Sequence, residues 1–454
     1  MSRVVWPIVL LLLSMVGGLS ASALNNGMGL TPPLGWSTWC SNGPCGADYC
    51  DEAMVKTAAT AMKANGMAAA GYNWILLDDC WAAGHRTSDG QITWDVDRFP
   101  SGMPSLISWV HAQGMQFGLY TSAGNTTCSS GGRPYPIPGS EYHFQQDMDT
   151  FASWETDYVK ADWCGDVKKM PLDGLGVGAK YYKEISAALT NSTPKRNMYF
   201  EGVAAVLFLL GDVGQYVNAW RASTDHHDQW SNLVEILATV ELAGVPSTPG
   251  AWSYLDVLMT GGEGCRGSNQ SVHCPGMTDI EYRSEFAIWS IYQSPLIVST
   301  AVNNMTDIMK ELLLNKDILS LHQNTEHPAG KHRGGDKGCV AAATRAPVPL
   351  AEVSCQYLTR PMGNITIVAL VNLADTASLI HFNPVEELAR TLAQEGHTSI
   401  GIKEATSALA HLGSATRVRV ESLFTKDITT VPIGEAYIAT VLAHGTDYFT
   451  FSFI

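Results

Sequence analysis

Short apolar runs alternate with amphipathic stretches along most of the chain. Leu34–Trp39, Trp74–Leu77, Gln116–Tyr120, Tyr158–Ala161, Met198–Glu201, Val217–Trp220, Val245–Trp252 and Pro295–Thr300 read as strands buried on both faces. Between them, Asp51–Asn65, Met103–Gln113, His143–Trp154, Gly178–Leu189, Trp230–Ala243 and Asp279–Gln293 carry apolar residues at helical spacing. This alternation predicts a parallel sheet covered by helices. Eight strands over roughly 270 residues suit a (β/α)8 TIM barrel better than a smaller doubly wound sheet. Val245–Trp252 is the weakest of the eight, because Pro246 and Pro249 lie inside it.

After about Asn324 the rhythm changes. Gly330–Gly338 has no periodic pattern and reads as a linker. Cys339–Arg345, Val353–Thr359, Ile365–Asn372, Ser378–Phe382, Thr416–Leu423, Val431–Leu442 and Tyr448–Phe453 then read as strands separated by turns. Glu386–Gln394 and Ile402–Leu412 interrupt them with helix-like composition. The expectation is an antiparallel β-sandwich domain.

The first residues have a different character. A basic start at Arg3 precedes the uncharged apolar run Val4–Val16, and Ala21-Ser22-Ala23 fits a small-residue cleavage pattern. The run is shorter than the ~20 residues a membrane span needs, so it reads as a secretory signal and not as an anchor. The chain thus divides into a signal peptide (1–23), a catalytic barrel (24–325) and a β-sandwich domain (326–454). All ten cysteines follow the signal, an even number that suits an oxidising compartment. Sequons at Asn125, Asn191, Asn269, Asn304 and Asn364 are candidate glycosylation sites. These features predict a secreted protein or one of a lysosome- or vacuole-like compartment.

Of the 454 residues, 46% are hydrophobic and 13 are Trp, which excludes a disordered chain. The net charge of −15 argues against nucleic acid or an anionic membrane as partner. In a barrel, polar residues at the C-terminal ends of strands face the site. Here those ends read Asp78-Asp79, Lys160-Ala161-Asp162, Glu201 and Arg221 followed by Asp225, with Asp256 after the seventh strand. Each alone suits a solvated loop or a helix cap; together they predict a catalytic centre.

Lys160 and Asp162 are two apart and so share a strand face, where Lys160 would hold Asp162 ionised at mildly acidic pH. An ionised carboxylate on one strand and an acid on another is what glycoside hydrolysis requires. Trp36, Trp39, Trp81, Trp163 and Trp220 would offer flat apolar faces to a sugar, core packing being the alternative for each. Asp225-His226-His227-Asp228 invites a metal reading, but adjacent loop histidines do not converge on one ion, and neither zinc spacing nor a phosphate loop is present. No metal or cofactor is expected.

At these residues the sequence resembles glycoside hydrolase family 27, the α-galactosidase and α-N-acetylgalactosaminidase family. The similarity runs over nearly all of the chain after the signal. Asn26 to Trp39, Leu77-Asp-Asp-Cys-Trp81, Gly118 to Cys128, Val159-Lys-Ala-Asp-Trp-Cys164 and Trp220-Arg221 with Asp225 carry it. The resemblance implies a retaining exo-glycosidase acting on terminal α-D-galactosyl residues, with Asp162 as nucleophile and Asp225 as acid/base. It further implies that Asp78 and Asp79 hold the 4-OH and 6-OH, Lys160 the 3-OH, and Glu201 and Arg221 the 2-OH. Trp39 and Tyr120 would line the pocket and Asp256 would sit at its edge.

The same resemblance pairs Cys128 with Cys164. It pairs Cys80 with one of Cys40, Cys45 and Cys50, the other two joining each other. For the four cysteines left over, Cys265–Cys274 and Cys339–Cys355 are the expected pairs, independently of the resemblance. The implied partner is a carbohydrate, with no nucleic acid and no membrane anchor, and a homodimer is left open. A non-catalytic sugar-binding protein is the rival from another class, discriminated by assay, since both Asp162 and Asp225 are present.

The sequence departs from the family at Phe200-Glu201-Gly202, where Cys-Glu-Trp is common. It departs again at Ala204, and at Trp252-Ser-Tyr-Leu-Asp256 in place of Trp-Asn-Asp-Pro-Asp. A carboxylate at Glu201 would crowd an N-acetyl group and offer it no partner, which favours a free 2-OH over α-N-acetylgalactosaminidase activity. β-L-Arabinopyranosidase activity is the other alternative within the family.

Overall fold

In the computed structural model, residues 24–41, 45, 50–128, 135–169, 175–203, 213–243, 247–262, 276–336, 355–394, 412–413 and 415–454 are described. Eight parallel strands follow in chain order: β1 (Leu34–Ser37), β2 (Trp74–Leu77), β3 (Gln116–Ser122), β4 (Tyr158–Asp162), β5 (Tyr199–Gly202), β6 (Ala219–Arg221), β7 (Trp252–Tyr254) and β8 (Leu296–Val298). β1 pairs with both β2 and β8. The ring closes just beyond β7: Leu258 bridges to Val298, its N–H donating to Ile297 O (2.8 Å) and its carbonyl accepting from Ser299 N (2.9 Å).

Helices α1 (Glu52–Ala64), α2 (Met103–Ala112), α3 (Phe144–Ser153), α4 (Leu175–Thr190), α5 (Trp230–Ala243) and α6 (Asp279–Ile291) alternate with the strands, as the apolar spacing predicts. Their starts follow from local chemistry. Asp51 caps α1 by accepting from Met54 N (2.7 Å), and Thr278 with Glu281 forms a capping box at α6. Two short helices before the β region, α7 (Asp307–Leu313) and α8 (Lys316–Gln323), are capped by Thr306 and Asn315 and have no counterpart in the sequence reading. β7 lies at Trp252–Tyr254, where Val245–Trp252 was expected; Pro249 sits in the turn closed by the Thr248–Ala251 bridge, which precedes the ladder.

The chain then builds β9 (Lys331–Asp336), β10 (Cys355–Met362), β11 (Ile365–Asn372), β12 (Ser378–Phe382), β13 (Arg417–Ser422), β14 (Ile428–Pro432), β15 (Tyr437–Val441) and β16 (Thr446–Phe453), with α9 (Pro384–Gln394) after β12. Six strands form an antiparallel sheet in the order β14-β13-β16-β11-β10-β9, and β12 pairs with β15. Alternation along β11 splits two cores. Val368 and Leu370 meet Ile380, Phe382 and Val441 of the two-stranded sheet, whereas Ile367, Ala369 and Val371 join the core of the barrel side.

Two expectations are corrected here. The glycine-rich segment read as a linker contains β9, whose main chain pairs with β10 although its side chains carry no apolar pattern. Val431–Leu442 is two strands, because the chain turns between Pro432 and Tyr437. Cys339–Arg345 and Ile402–Leu412 fall at or beyond the edge of the described residues. So do residues 1–23.

Candidate active site

Register brings the polar strand ends together. Tyr120 pairs with Lys160 and Lys160 with Glu201, so three neighbouring strands carry these residues in one row. One step of the pleat further along β4, Asp162 pairs with Ser122 at the C-terminal end. Tyr158, Lys160 and Asp162 thus share the inward face, while Val159 and Ala161 are buried on the outer one.

Lys160 does not bond to Asp162. Its ammonium donates to Asp78 Oδ2 (2.7 Å) and lies 5.6 Å and 5.3 Å from the Trp39 and Tyr120 ring centres. Asp79 is buried beside Asp78, with its N–H donated to Asp78 Oδ1 (2.8 Å). Asp162 accepts from Trp163 N (2.7 Å) at Oδ1 and from the Tyr120 hydroxyl (2.9 Å) at Oδ2. Burial pushes its carboxyl up; Lys160 draws it down, Asp225 pushes it up again, and the net is above the ordinary value. Lys160 thus favours the ionised form of Asp162, as the spacing suggested, but it acts at a distance while bonded to Asp78, and burial outweighs its field.

Asp225 stands on the loop after β6, its side chain 54% exposed, and accepts from Arg221 Nη2 (3.0 Å). Partial burial pushes its carboxyl up, but Arg221 and Lys160 outweigh that and hold it below the usual range. Arg221 Nη2 also reaches Asp256 Oδ2 (3.0 Å). Asp256 is 3% exposed and takes a positive φ of 87° where the chain passes from β7 to the closing bridge at Leu258. Its Oδ2 accepts from His226 N (2.7 Å), so it lies behind Arg221.

Glu201 is 1% exposed and accepts from the Tyr158 hydroxyl at Oε2 (2.5 Å). Its Oε1 and the Nε of Arg221 are buried without a hydrogen-bond partner among the described residues. Burial, opposed by Lys160, Tyr158 and Arg221, pushes the Glu201 carboxyl up to about 7. Below that pH it is a neutral acid and a donor. In that form it can donate as well as accept, so the preference for a free 2-OH rests on the crowding of an N-acetyl group at Glu201.

Of the five rim tryptophans expected, three are core. Trp36 donates to Thr300 O (3.0 Å), Trp81 to Tyr120 O (2.9 Å), and Trp220 is buried with them. Trp39 and Trp163 remain partly exposed, Trp163 against Tyr181 and Tyr182.

Asp225, His226 and Asp228 point to separate partners. His226 meets Asn232 and Glu285, and Asp228 accepts from Met277 N and the Tyr282 hydroxyl. Among the described residues the metal-ligand types that crowd together are Cys128, Asp162 and Cys164, and those two sulfurs form a disulfide. Tyr158 and Tyr254 line the same cavity as Asp78, Lys160 and Glu201 without having been singled out. Tyr158 was findable, being two residues before Lys160 on the same face.

Cys50 is bonded to Cys80, Cys40 to Cys45, and Cys128 to Cys164. Cys355 is disulfide-bonded as well; Cys339, Cys265 and Cys274 lie outside the described residues. The Cys128 N–H reaches the Tyr120 hydroxyl (3.5 Å), which ties this bridge to the hydrogen bond on Asp162. Asn191, Asn304 and Asn364 are exposed, Asn269 is outside the described residues, and the exposed Asn125 donates its amide to Asp166 (2.6 Å). No helix of the described residues is long and apolar enough to cross a membrane.

Residues 31–324 match the family model described as alpha galactosidase A. An alpha-galactosidase from Cyamopsis tetragonoloba is 34% identical over 312 residues, 67% of each chain. Alpha-galactosidase A from Homo sapiens is 32% identical over 68% of this chain and 70% of its own. Among solved structures, the alpha-galactosidase of Saccharomyces cerevisiae superposes with a TM-score of 0.75 at 21% identity, over 95% of this chain and 100% of that one. A family 27 β-L-arabinopyranosidase from Geobacillus stearothermophilus gives 0.71 at 19%, over 95% and 98%.

Proposed function

The chain belongs to the alpha galactosidase A family of glycoside hydrolases, and from that premise we propose that it releases terminal α-D-galactose by double displacement. The observation that carries the reading is a pair of carboxylates in the same site as a buried donor and acceptor, Arg221 Nε and Glu201 Oε1, that have no hydrogen-bond partner among the described residues. A buried polar atom left unpaired costs about 1–3 kcal/mol, which a sugar hydroxyl offsets.

In the first step an Asp162 oxygen attacks the anomeric carbon as the glycosidic bond breaks, and Asp225 gives its proton to the leaving oxygen. In the second, Asp225 takes a proton from water, whose oxygen displaces Asp162 and frees the sugar. Trp163 N and the Tyr120 hydroxyl fix the two oxygens of the nucleophile. The free protein holds Asp225 low, the reverse of what an acid needs, but its side chain is half open to water. A bound glycoside covers that carboxyl, and desolvation then favours its neutral form.

Asp78, Asp79, Lys160 and Glu201 with Arg221 are the proposed hydroxyl ligands, Trp39 and Tyr120 the walls, and Asp256 a positioning residue for Arg221. Entry into the secretory pathway through residues 1–23, with glycans at the exposed sequons, completes the proposal.

The test is hydrolysis of p-nitrophenyl α-galactoside, α-N-acetylgalactosaminide and β-L-arabinopyranoside at about pH 4–6, the range in which one carboxyl is protonated while the other is ionised. The first should be preferred. Sugar binding with no release from any substrate would show a non-catalytic lectin-like protein, and full activity in Asp162→Asn would remove the nucleophile.

A further inference from the structure

Beside Asp225 lies a charged pair that the reaction does not touch. His226 is 0% exposed, with its ring 5.0 Å from that of Trp289. Its Nδ1 faces Asn232 Oδ1 (2.8 Å) and its Nε2 faces Glu285 Oε1 (3.0 Å).

The orientation of Asn232 is fixed by its other bonds. Its Oδ1 accepts from His227 N (2.7 Å), and its Nδ2 donates to the Asp225 carbonyl (3.1 Å). Glu285, itself fully buried, already accepts from Met259 N (2.6 Å) at Oε1 and from the Thr260 hydroxyl (2.7 Å) at Oε2. Both ring nitrogens therefore face acceptors, and only the imidazolium donates to both.

Resting on the acid/base reading of Asp225, we propose that the His226 imidazolium, clamped between Glu285 and Asn232, is a positioning residue that sets where Asp225 meets the glycosidic oxygen. Among the described residues the Asp225 side chain has one ion-pair partner, Arg221, and it is otherwise half exposed. Its location is thus set by its backbone, and the Asp225 carbonyl is held by Asn232, whose oxygen is held in turn by His226. The brace ties the loop after β6 to three other parts of the barrel. Asn232 comes from α5, Glu285 and Trp289 from α6, Met259 and Thr260 follow β7, and Asp256 grips the His226 N–H while pairing with Arg221. Charged groups facing His226 are Glu285 on α6 and Asp256 beyond β7, with Arg221 one step behind. Burial opposes its charge, but Glu285, Asn232 and Asp256 outweigh it, and its pKa stands above the ordinary value.

Removing His226 alone strands the buried Glu285 charge and threatens the fold, whereas replacing both by leucine removes the charges together. The experiment therefore uses His226→Leu/Glu285→Leu, and reads kcat/KM on two substrates. p-Nitrophenyl α-galactoside departs with little help from an acid; melibiose, an unactivated galactoside, needs the proton. A displaced acid should cost roughly 10- to 100-fold on melibiose and no more than about threefold on the aryl substrate. Azide, which replaces base-assisted water in the second step, should speed aryl turnover in the variant.

Equal losses on both substrates, or none, would overturn the proposal and leave a packing role. Asp225→Asn is the control. If it treats the two substrates alike, the acid assignment itself fails and this inference with it; if it separates them and the double variant does not, only the positioning role fails. Wild-type protein carrying 15N-histidine needs no variant. Two N–H signals on the His226 ring at pH 6 are expected, and a single protonated nitrogen would overturn the clamp.

Discussion

Glu201→Gln is the sharpest perturbation of the site, because it replaces a carboxyl by a neutral group of the same shape. Six carboxyl groups (Asp78, Asp79, Asp162, Glu201, Asp225 and Asp256) crowd around two cations, Lys160 and Arg221. Glu201, the most deeply buried of the six, stands at about 7 against 4.5 for an exposed glutamate. That difference corresponds to about 3 kcal/mol in favour of the neutral form, at ~1.4 kcal/mol per unit.

The sign follows from proton counting. Between pH 4.5 and 7 the folded chain keeps a proton at Glu201 that the unfolded chain has lost, so wild-type stability falls as pH rises through that window. Glutamine has no proton to lose. Urea unfolding with disulfides intact should therefore show Glu201→Gln gaining on wild type from near zero at pH 4.5 to about 3 kcal/mol at pH 7, with no further gain above. At pH 5 the variant should also bind galactose within about threefold of wild type, since glutamine keeps a donor and an acceptor. A difference that stays constant with pH would refute the reasoning. So would a variant that loses ground as pH rises, which would mean that Lys160 and Arg221 hold Glu201 ionised in the fold.

Three further outcomes follow from contacts around the site. Cys128→Ala/Cys164→Ala opens a loop of separation 36 and should cost about 4 kcal/mol by loop entropy, with kcat falling through Tyr120 and Asp162; unchanged kcat would cut that link. Gly124→Ala would set a Cβ 1.8 Å from the Cys164 carbonyl oxygen, so activity should fall by more than about tenfold even where circular dichroism is native. The His226–Glu285 pair should stabilise the fold fully below the unfolded histidine pKa of about 6.5 and lose that contribution as pH rises through its raised folded value, visible as a pH-dependent gap between wild type and the leucine double variant.

What could be read beforehand was whatever depends on local pattern. The eight strands and their intervening helices follow from apolar spacing, and Tyr120, Lys160 and Glu201 fall in one row because a parallel sheet with inward alternation leaves them nowhere else. Pattern failed where pairing is carried by main chain alone, as in β9, which holds its place beside β10 with glycines and Arg333. The lysine's bonded partner was hidden for a related reason. Spacing put Lys160 next to Asp162, but which carboxylate a lysine bonds depends on the neighbouring strand, and Asp78, just past the end of β2, is the one within reach.

The brace behind Asp225 was hidden for the same cause carried further. Asp225-His226-His227-Asp228 looks from the chain like one polar cluster, yet the fold sends its members in different directions, and His226 and Asp228 find partners 49 to 59 positions away. Sequence separation of that size is invisible to any periodicity. On the proposed reading of Asp225 it is also what would hold the loop in place, because a proton donor held only by its own neighbours would move with them. A half-exposed acid needs a buried anchor from elsewhere in the barrel, and Glu285 on α6 is positioned to be that anchor.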